Sequence, residues 1–147
     1  MTTPTEWMKD EYNDLVSKGF DWKPPVITGA SSARCIIDGS EKIMLCANNY
    51  LNLSTHPKIR QAAKDAVDTH GAGSGSVRPI AGNMDIHNQL EESIARFKNR
   101  EAALYYQTGF AVNSGLIPQL AGKNDAIISD QLNHGSIIDG VRLSGVK

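Results

Sequence analysis

The sequence has few of the features that mark several large protein classes. It contains two cysteines in 147 residues, neither in a CxxC pair nor near a histidine at metal-ligand spacing, so it predicts neither a disulfide framework nor a zinc site. No run of about 18 apolar residues occurs, so no membrane span is expected. The formal net charge of −1 argues against a basic surface that binds nucleic acid. The polar, acidic start is unlike a secretory signal, and with so few cysteines it favours a cytoplasmic location. We expect both cysteines, Cys35 and Cys46, to be small core residues.

What is present is typical of a globular chain, with 40% hydrophobic and 21% charged residues. In the first part, the apolar spacing predicts a helix over residues 5–18 that ends at Gly19. Two short apolar runs, residues 34–37 and 43–46, lie on either side of an Asp-Gly pair. They predict a β-hairpin with a slightly long loop.

From residue 57 onward the pattern alternates between helix and strand. Pro57 suits the first turn of a helix that Ser54 or Thr55 would cap, and Asp85 would cap the next helix. The predicted elements are, in order, helices over 57–70 and 85–97, a strand over 102–106, a helix over 110–120, a strand over 126–129 and a helix over 136–143. This alternation predicts an α/β fold with a mainly parallel sheet and crossover helices. Two strands alone make a poor parallel sheet, so we expect a longer molecule or a sheet completed by another polypeptide.

The stretch over residues 102–120 predicts an anion site. Its apolar run ends at Thr108 and Gly109 and a helix begins at Phe110, so the carboxyl end of a strand would meet a helix N-terminus. Unpaired backbone N–H groups and the positive end of the helix dipole favour a phosphate there. Thr108 could add a hydroxyl, and Gly109 allows close approach of the backbone. The alternative is a plain strand–helix turn that binds nothing.

Three further groups carry weaker signals. The glycine-rich loop over residues 71–78, GAGSGSVR, could hold a phosphate, or be a flexible hinge or a subunit contact. His134 follows the second predicted strand, at the sheet edge where ligands collect in α/β folds. It could stack on a flat ring or exchange a proton, or it could be an ordinary surface histidine. The amides of Asn48 and Asn49 could fix a carboxylate, although asparagines are also common in turns.

Several segments in register resemble the α-oxoamine synthases, which are pyridoxal-phosphate enzymes that condense an amino acid with an acyl-CoA. These segments are NNYLNLSTHP (48–57), HGAGSGSVRPIAG (70–82), IHNQLEESIARF (86–97) and ISDQLNHGSIIDGVRL (128–143). The resemblance is close over residues 42–143. It implies the N-terminal part of a fold-type I enzyme, similar to aspartate aminotransferase. Residues 1–55 would form a helix, a connector and a hairpin, and residues 56–147 would begin the large cofactor-binding α/β domain.

The resemblance also implies roles for the candidate residues. The cofactor would be pyridoxal 5′-phosphate (PLP), with its phosphate bound by backbone N–H groups of the turn at 108–110. His134 would stack over the pyridine ring as the catalytic histidine. Asn48 would contact the substrate carboxylate, and Ser76 would bind substrate near the dimer interface. The implied partners are an amino acid, an acyl-CoA and a second copy of the chain, with the active site between the two subunits.

Within the family, ANNYL, GSGSVR and DAIISDQLNHGSIIDGVRL look most like the glycine C-acetyltransferases, which would make 2-amino-3-oxobutyrate from glycine and acetyl-CoA. The TGF at 108–110 is closer to the SGF of other members than to the SCF usual in that subgroup. The alternatives are the 8-amino-7-oxononanoate, 5-aminolevulinate and sphingoid-base synthases. No lysine here stands in the family's TxxK[AG] context of the Schiff-base lysine, so the resemblance implies that these 147 residues alone are inactive. A non-catalytic module that binds a partner chain is a further alternative.

Overall fold

The structure, a computed structural model, describes residues 3–146, which divide into two compact units between Gly73 and Ser74. The first unit contains helix α1 (Glu6–Ser17), strands β1 (Ile27–Thr28), β2 (Arg34–Ile37) and β3 (Ser40–Ile43), and helix α2 (Pro57–His70). The second contains helices α3 (Asp85–Phe97), α4 (Gly109–Leu120) and α5 (Gly135–Ser144). The domain division after residue 55 stays a prediction.

Helix α1 lies where the sequence predicts it, one residue inside the predicted bounds at each end. It ends in a Schellman motif, in which the Gly19 N–H donates to Val16 O at 3.0 Å and the Phe20 N–H donates to Leu15 O at 2.9 Å. Gly19 has a φ of 73°, a left-handed conformation that glycine adopts without strain from a Cβ atom. The glycine therefore sets the end of the helix, as predicted.

The predicted hairpin is present, but its loop and second strand differ from the prediction. Strand β3 pairs antiparallel with β2 in a register that leaves only Asp38 and Gly39 as the loop. Their φ values of 48° and 76° fit the mirror-image turns that match the twist of paired strands. Strand β3 ends at Ile43, where the prediction began it. All four β3 residues are exposed. The strand therefore has no buried face, and its sequence shows no alternation of apolar and polar residues that would predict it.

Strand β1 was not anticipated from the sequence. It pairs antiparallel with β2 and gives the sheet order β1–β2–β3. Asp38 fastens this edge strand to the hairpin turn, because its N–H donates to Val26 O at 3.0 Å and its Oδ1 accepts from the Val26 N–H at 3.0 Å. A strand of two residues is too short to show periodicity.

Helix α2 begins at Pro57 as predicted, but a histidine caps it instead of one of the hydroxyl residues before it. The Nδ1 atom of His56 accepts a hydrogen bond from the Lys58 N–H at 3.3 Å. The residues Leu53–Thr55 form a separate 3₁₀ turn. Serine and threonine are the commoner caps, which is why the prediction favoured them.

Helix α3 occupies the predicted residues, although its N-cap is Met84 and Asp85 is its first residue. The His87 Nδ1 atom accepts from the Met84 N–H at 3.0 Å. The helix ends at a second Schellman motif, with Asn99 at a φ of 48°. His87 thus supports the helix start from inside the first turn.

The two segments predicted as parallel strands, residues 102–106 and 126–129, form no strand and no backbone ladder among residues 3–146. A parallel strand needs a neighbouring strand along its edge, and the three described strands pair only with one another. The apolar runs therefore identified the segments that precede α4 and α5, but not a sheet. The order of segment, helix, segment and helix is as predicted.

Helices α4 and α5 pack against each other in the second unit. Gly140 lies buried at their contact, where a Cβ atom would come within 2.5 Å of Asn113 O and 3.0 Å of Ile117 Cδ1. Asn113 also contacts Ser136, one turn before Gly140, and Ile117 is one turn after Asn113. The two helices therefore run in the same direction and begin at the same end.

Few side chains are buried. Cys35 is 6% exposed and Ala95 is 7% exposed, whereas Cys46 is exposed because it follows the end of β3, outside the sheet. The prediction that both cysteines are core residues was therefore wrong for the second one. Large apolar side chains such as Leu45 and Ile128 are exposed. No helix in the described part of the chain is long and apolar enough to cross a membrane.

Candidate functional site

Thr108 builds the turn before α4 that the sequence predicts as an anion site. Its backbone is extended, with a φ of −142°, and its Oγ1 atom accepts from the Ala111 N–H at 3.0 Å. Its carbonyl accepts from the Val112 N–H at 3.1 Å. The N–H groups of Gly109 and Phe110 precede these bonds, so by helix geometry they have no acceptor within the helix. They can donate to an anion at the helix end.

The space beside this turn is open. A Cβ atom at Gly109 would meet nothing within 4 Å, and Thr108 is exposed. The Thr108 hydroxyl oxygen already accepts from the helix, and its hydrogen remains able to donate to a bound oxygen. Thr108, Gly109 and Phe110 thus offer three donors beside the positive end of the α4 dipole. Helix α4 begins at Gly109, one residue before the predicted start.

His134 is the N-cap of α5 and not simply a loop residue. Its Nδ1 atom accepts from the Ser136 N–H at 3.2 Å and lies 2.7 Å from Ser136 Oγ. Asn113 of α4 donates through Nδ2 to the same Ser136 oxygen at 2.9 Å. The Ser136 side chain is buried, with 2% exposure, whereas His134 is exposed.

The turn before α4 and the turn before α5 lie at the same end of the helix pair, because the two helices run in the same direction. The structure therefore brings Thr108 and His134 to one edge of the second unit, although the segments that precede them form no strands. The N-termini of both helices lie at this edge, and their positive dipole ends favour a ligand with a negative charge. A flat, anionic molecule could contact both the amide donors and the imidazole.

Ser76 lines a cavity of about 660 Å³ in the second unit, together with Arg78, His87, Tyr105 and Gln107. Its backbone is closely packed, because a Cβ atom at Gly82 would come within 1.9 Å of Ser76 O. The loop can lie this close to position 82 because glycine has no Cβ atom. The cavity is open and holds both polar and aromatic side chains, so it accommodates a substrate-sized group.

Glu91 joins three segments beside this cavity. Its carboxylate accepts from Arg78 Nη1 at 2.5 Å and Nη2 at 3.0 Å, and from the Tyr105 N–H at 2.9 Å. The hydrogen bonds from Arg78 and from the Tyr105 N–H lower the pKa of the Glu91 carboxyl to about 2. The carboxylate in turn raises the pKa of Arg78. Arg78 is thus held as a structural cation.

In the first unit, the two asparagines of the NNY motif have different surroundings. Asn49 Nδ2 donates to Ser31 O at 2.9 Å and to Ser54 Oγ at 2.8 Å, and its Oδ1 accepts from the Ser54 N–H at 3.2 Å. It is therefore a turn-forming residue. Asn48 is exposed, and its Oδ1 accepts from the Tyr50 hydroxyl at 3.2 Å. Asn48 is therefore exposed, whereas Asn49 is half-buried.

The sequence did not single out Asn113, Ser136 or Glu91. Asn113 and Ser136 are 23 residues apart, and Glu91 is 13 residues from Arg78. These pairings connect different elements, so no local spacing rule signals them. Within residues 3–146, no group of three or more metal-ligating side chains comes together.

The profile of the family described as aminotransferase class I and II matches residues 40–147, which is more than half of the chain. The chain belongs to this family. Among the relatives of this family member, the 8-amino-7-oxononanoate synthase of Symbiobacterium thermophilum is 50% identical over 143 residues, which is 97% of this chain and 36% of that protein. The synthase of Treponema denticola is 48% identical over 95% of this chain and 35% of its own length. The chain therefore spans about a third of the length of these relatives.

Solved structures similar to this chain include serine palmitoyltransferases and an 8-amino-7-oxononanoate synthase. The serine palmitoyltransferase of Sphingomonas wittichii has a TM-score of 0.81 and 31% identity, over 96% of this chain and 36% of that chain. The 8-amino-7-oxononanoate synthase of Francisella tularensis has a TM-score of 0.59 and 33% identity, over 69% and 28%. A serine palmitoyltransferase structure from S. paucimobilis, 28% identical with a TM-score of 0.84, holds a PLP–myriocin aldimine.

These relatives confirm the fold class: the chain is an N-terminal portion of the PLP fold-type I, aminotransferase-like α/β fold. They also confirm the resemblance at the level of the α-oxoamine synthases. The finer assignment to glycine C-acetyltransferase gains no support from them. They agree better with the alternative, another α-oxoamine synthase.

Proposed function

We propose that this chain forms one wall of the active site of a PLP-dependent α-oxoamine synthase of the 8-amino-7-oxononanoate synthase type. The observation that carries the proposal is the identity of 44–50% to six such synthases over 94–97% of this chain. The paired helix ends at Thr108 and His134 support it, because they suit a flat ring that carries a phosphate.

The cofactor is pyridoxal 5′-phosphate, which when bound acts as an electron sink for bonds that break at the amino-acid Cα atom. The residues of the second unit fit this group. The N–H groups of Gly109 and Phe110 and the hydroxyl of Thr108 would hold its phosphate. The His134 imidazole would lie against its ring and keep it in one orientation. In these roles the residues bind and orient without forming a covalent bond.

Two further residues would serve the substrates. Asn48 exposes an amide that can donate to a carboxylate, so we assign it to the carboxylate of the amino acid. Ser76 lines the cavity beside Arg78 and would contact the bound substrate. Arg78 itself is neutralised by Glu91, so its role is to hold the loop that carries Ser76. A homodimer with the active site between its subunits, and a cytoplasmic location, are part of the same proposal.

The product in the relatives' name defines the substrates we infer. 8-Amino-7-oxononanoate carries its oxo group on C7 and its amino group on C8. If the new bond joins C7 to C8, the acyl group is a seven-carbon chain that ends in a carboxylate. The amino acid is then alanine, whose methyl group becomes C9. Alanine loses its carboxylate as CO₂, and the thioester releases CoA as its free thiol, so the atoms balance.

The test compares substrates in the complete enzyme to which this chain would contribute one wall of the active site, purified with PLP. Release of CoA thiol is measured with three pairs: alanine with the seven-carbon carboxyacyl-CoA, glycine with acetyl-CoA, and serine with palmitoyl-CoA. We expect kcat/KM for the first pair to exceed the others by at least about 100-fold, because both chain length and end group differ. Highest activity with glycine and acetyl-CoA would instead establish the glycine C-acetyltransferase assignment. Absence of a PLP absorption band would favour a non-catalytic module.

A second experiment tests the role of His134. The His134→Ala substitution should weaken PLP binding or shift its absorption band, because the ring loses the group against which it lies. His56→Ala is a matched control, since His56 caps α2 through Nδ1 in the same way. If His134→Ala alters neither PLP absorbance nor turnover, the stacking role is wrong.

A further inference from the structure

The hydrogen bonds around Ser136 have one consistent direction. The Asn113 Nδ2 group can only donate, so Ser136 Oγ is its acceptor. The Ser136 N–H can only donate, so His134 Nδ1 is an acceptor and carries no hydrogen. The Ser136 hydroxyl hydrogen is therefore directed at the same Nδ1 atom, at an Oγ–Nδ1 distance of 2.7 Å. The ring hydrogen of the neutral imidazole then lies on Nε2.

The other capping histidine shows that this arrangement exceeds what a helix cap requires. His56 caps α2 with Nδ1 alone, accepting from the Lys58 N–H at 3.3 Å. The residue two positions after His56 is a lysine, whereas the one two positions after His134 is a buried serine. The hydroxyl of Ser136 and its Asn113 partner thus act on the imidazole beyond the capping bond.

Burial stabilises the direction of these two hydrogen bonds, from Asn113 to Ser136 and from Ser136 to His134, which we call the relay. Ser136 is 2% exposed, so water cannot readily replace either of its partners. Asn113 is positioned by the close contact of its backbone with Gly140. The relay also connects α4, which begins at the Thr108 turn, to the imidazole that begins α5.

We propose that Asn113 and Ser136 are positioning residues that hold the His134 imidazole in one orientation and in the Nε2–H tautomer. This rests on the proposed function for the identity of the ring that His134 faces. Asn113 donates to Ser136, Ser136 donates to Nδ1, and the imidazole face is fixed relative to the amide donors at Thr108. Neither positioning residue needs to touch the cofactor.

The first readout is the tautomer, measured by nitrogen NMR of the intact protein labelled with ¹⁵N-histidine and free of PLP. The His134 signals are identified by their loss in His134→Gln. In the wild type we expect an acceptor-type Nδ1 signal and a protonated-type Nε2 signal. Asn113→Asp has nearly the same shape but replaces the amide donor with an acceptor. It should turn the Ser136 hydroxyl away and move both ring signals towards the average of the two tautomers.

The second readout is PLP affinity from its absorption band. Ser136→Ala removes the hydroxyl, and we expect its Kd for PLP to rise about fivefold, the effect of losing one orienting hydrogen bond. Ser136→Thr keeps the hydroxyl and should restore both readouts. Ser114→Ala is the matched control, because Ser114 neighbours Asn113 on α4 but its hydroxyl donates to Phe110 O at 2.9 Å, outside the relay.

The outcomes separate the two proposals. Unchanged His134 ring signals in both Ser136→Ala and Asn113→Asp would overturn the positioning role, whatever the cofactor. Shifted signals with unchanged PLP affinity would also overturn it, since the orientation would then have no effect on binding. If the wild-type protein binds no PLP while its ring signals respond as expected, the proposed function fails and the tautomer control stands.

Discussion

Replacing Gly140 with alanine should push apart the two helices that carry the candidate site. A Cβ atom at this position would lie 2.5 Å from Asn113 O, whereas ordinary contacts begin near 3.4 Å. The obstructing atom belongs to the backbone of α4 and cannot rotate away. The helices must therefore separate locally by about 0.9 Å, in packing that tolerates little change of volume.

Two effects oppose each other in this variant. Alanine in place of glycine inside a helix favours folding by about 1 kcal/mol. Overpacking costs about 1–3 kcal/mol, and contact with a backbone atom places this site towards the upper part of that range. We expect the Gly140→Ala protein to lose up to about 2 kcal/mol of unfolding free energy, and to bind PLP more weakly because Asn113 shifts relative to Ser136.

Gly115→Ala provides the matched comparison. Gly115 also lies inside a helix of the same pair, but a Cβ atom there would meet only Tyr106 Cε1, at 3.5 Å. This variant should gain about 1 kcal/mol from helix propensity without overpacking. Urea unfolding of the intact proteins, followed by circular dichroism, measures the difference. Equal unfolding free energies for the two variants would refute the steric argument.

Two further predictions concern the cavity and the anion site. Because the folded pKa of Glu91, about 2, lies below its ordinary value of 4.5, its ionised carboxylate stabilises the fold above pH 4.5, and this contribution is lost as the pH falls through about 2. Glu91→Gln should be less stable than the wild type at neutral pH. The difference between the urea midpoints of the two proteins should decrease as the pH falls from 4.5 to about 2. A difference that does not depend on pH would contradict the ion-pair account. Thr108→Ala should lose about 1 kcal/mol of unfolding free energy with the α4 cap and should bind PLP more weakly, whereas Thr108→Ser should keep both properties. Equal PLP affinity in the alanine and serine variants would show that the hydroxyl does not serve the anion site.

Local features of the fold could be predicted from the sequence because local interactions determine them. Glycine and proline mark the ends and starts of α1 and α2, and the apolar spacing of α3 gives its bounds. The hairpin loop was predicted too long because the strand after Asp38 and Gly39 begins with three polar residues and is exposed at all four positions. Its pairing depends on the turn geometry rather than on a buried stripe.

Tertiary partners explain what the sequence could not predict. Residues 102–106 and 126–129 have the composition of strands, but a strand forms only beside another strand. By contrast, the place of Thr108 before a helix was enough to predict that its hydroxyl could donate to an anion. The hydrogen bond from Asn113 to Ser136 joins α4 to α5, and Glu91 on α3 neutralises the charge of Arg78. Residue spacing in the sequence does not indicate either pairing.

The Glu91 carboxylate has a consequence for how this region can change in evolution. One side chain serves both the Arg78 guanidinium and the Tyr105 N–H, so substitutions at positions 78 and 91 cannot act independently. Loss of Glu91 leaves the Tyr105 N–H without this acceptor and Arg78 without its ion pair, although Arg78 Nε still donates to Asn83. Loss of Arg78 after Glu91 removes a group whose ion-pair partner is already absent. The cost of the second substitution therefore depends on the first, and the two effects on stability are not additive. Substitutions at positions 78 and 91 are therefore coupled in their effect on the loop that carries Ser76.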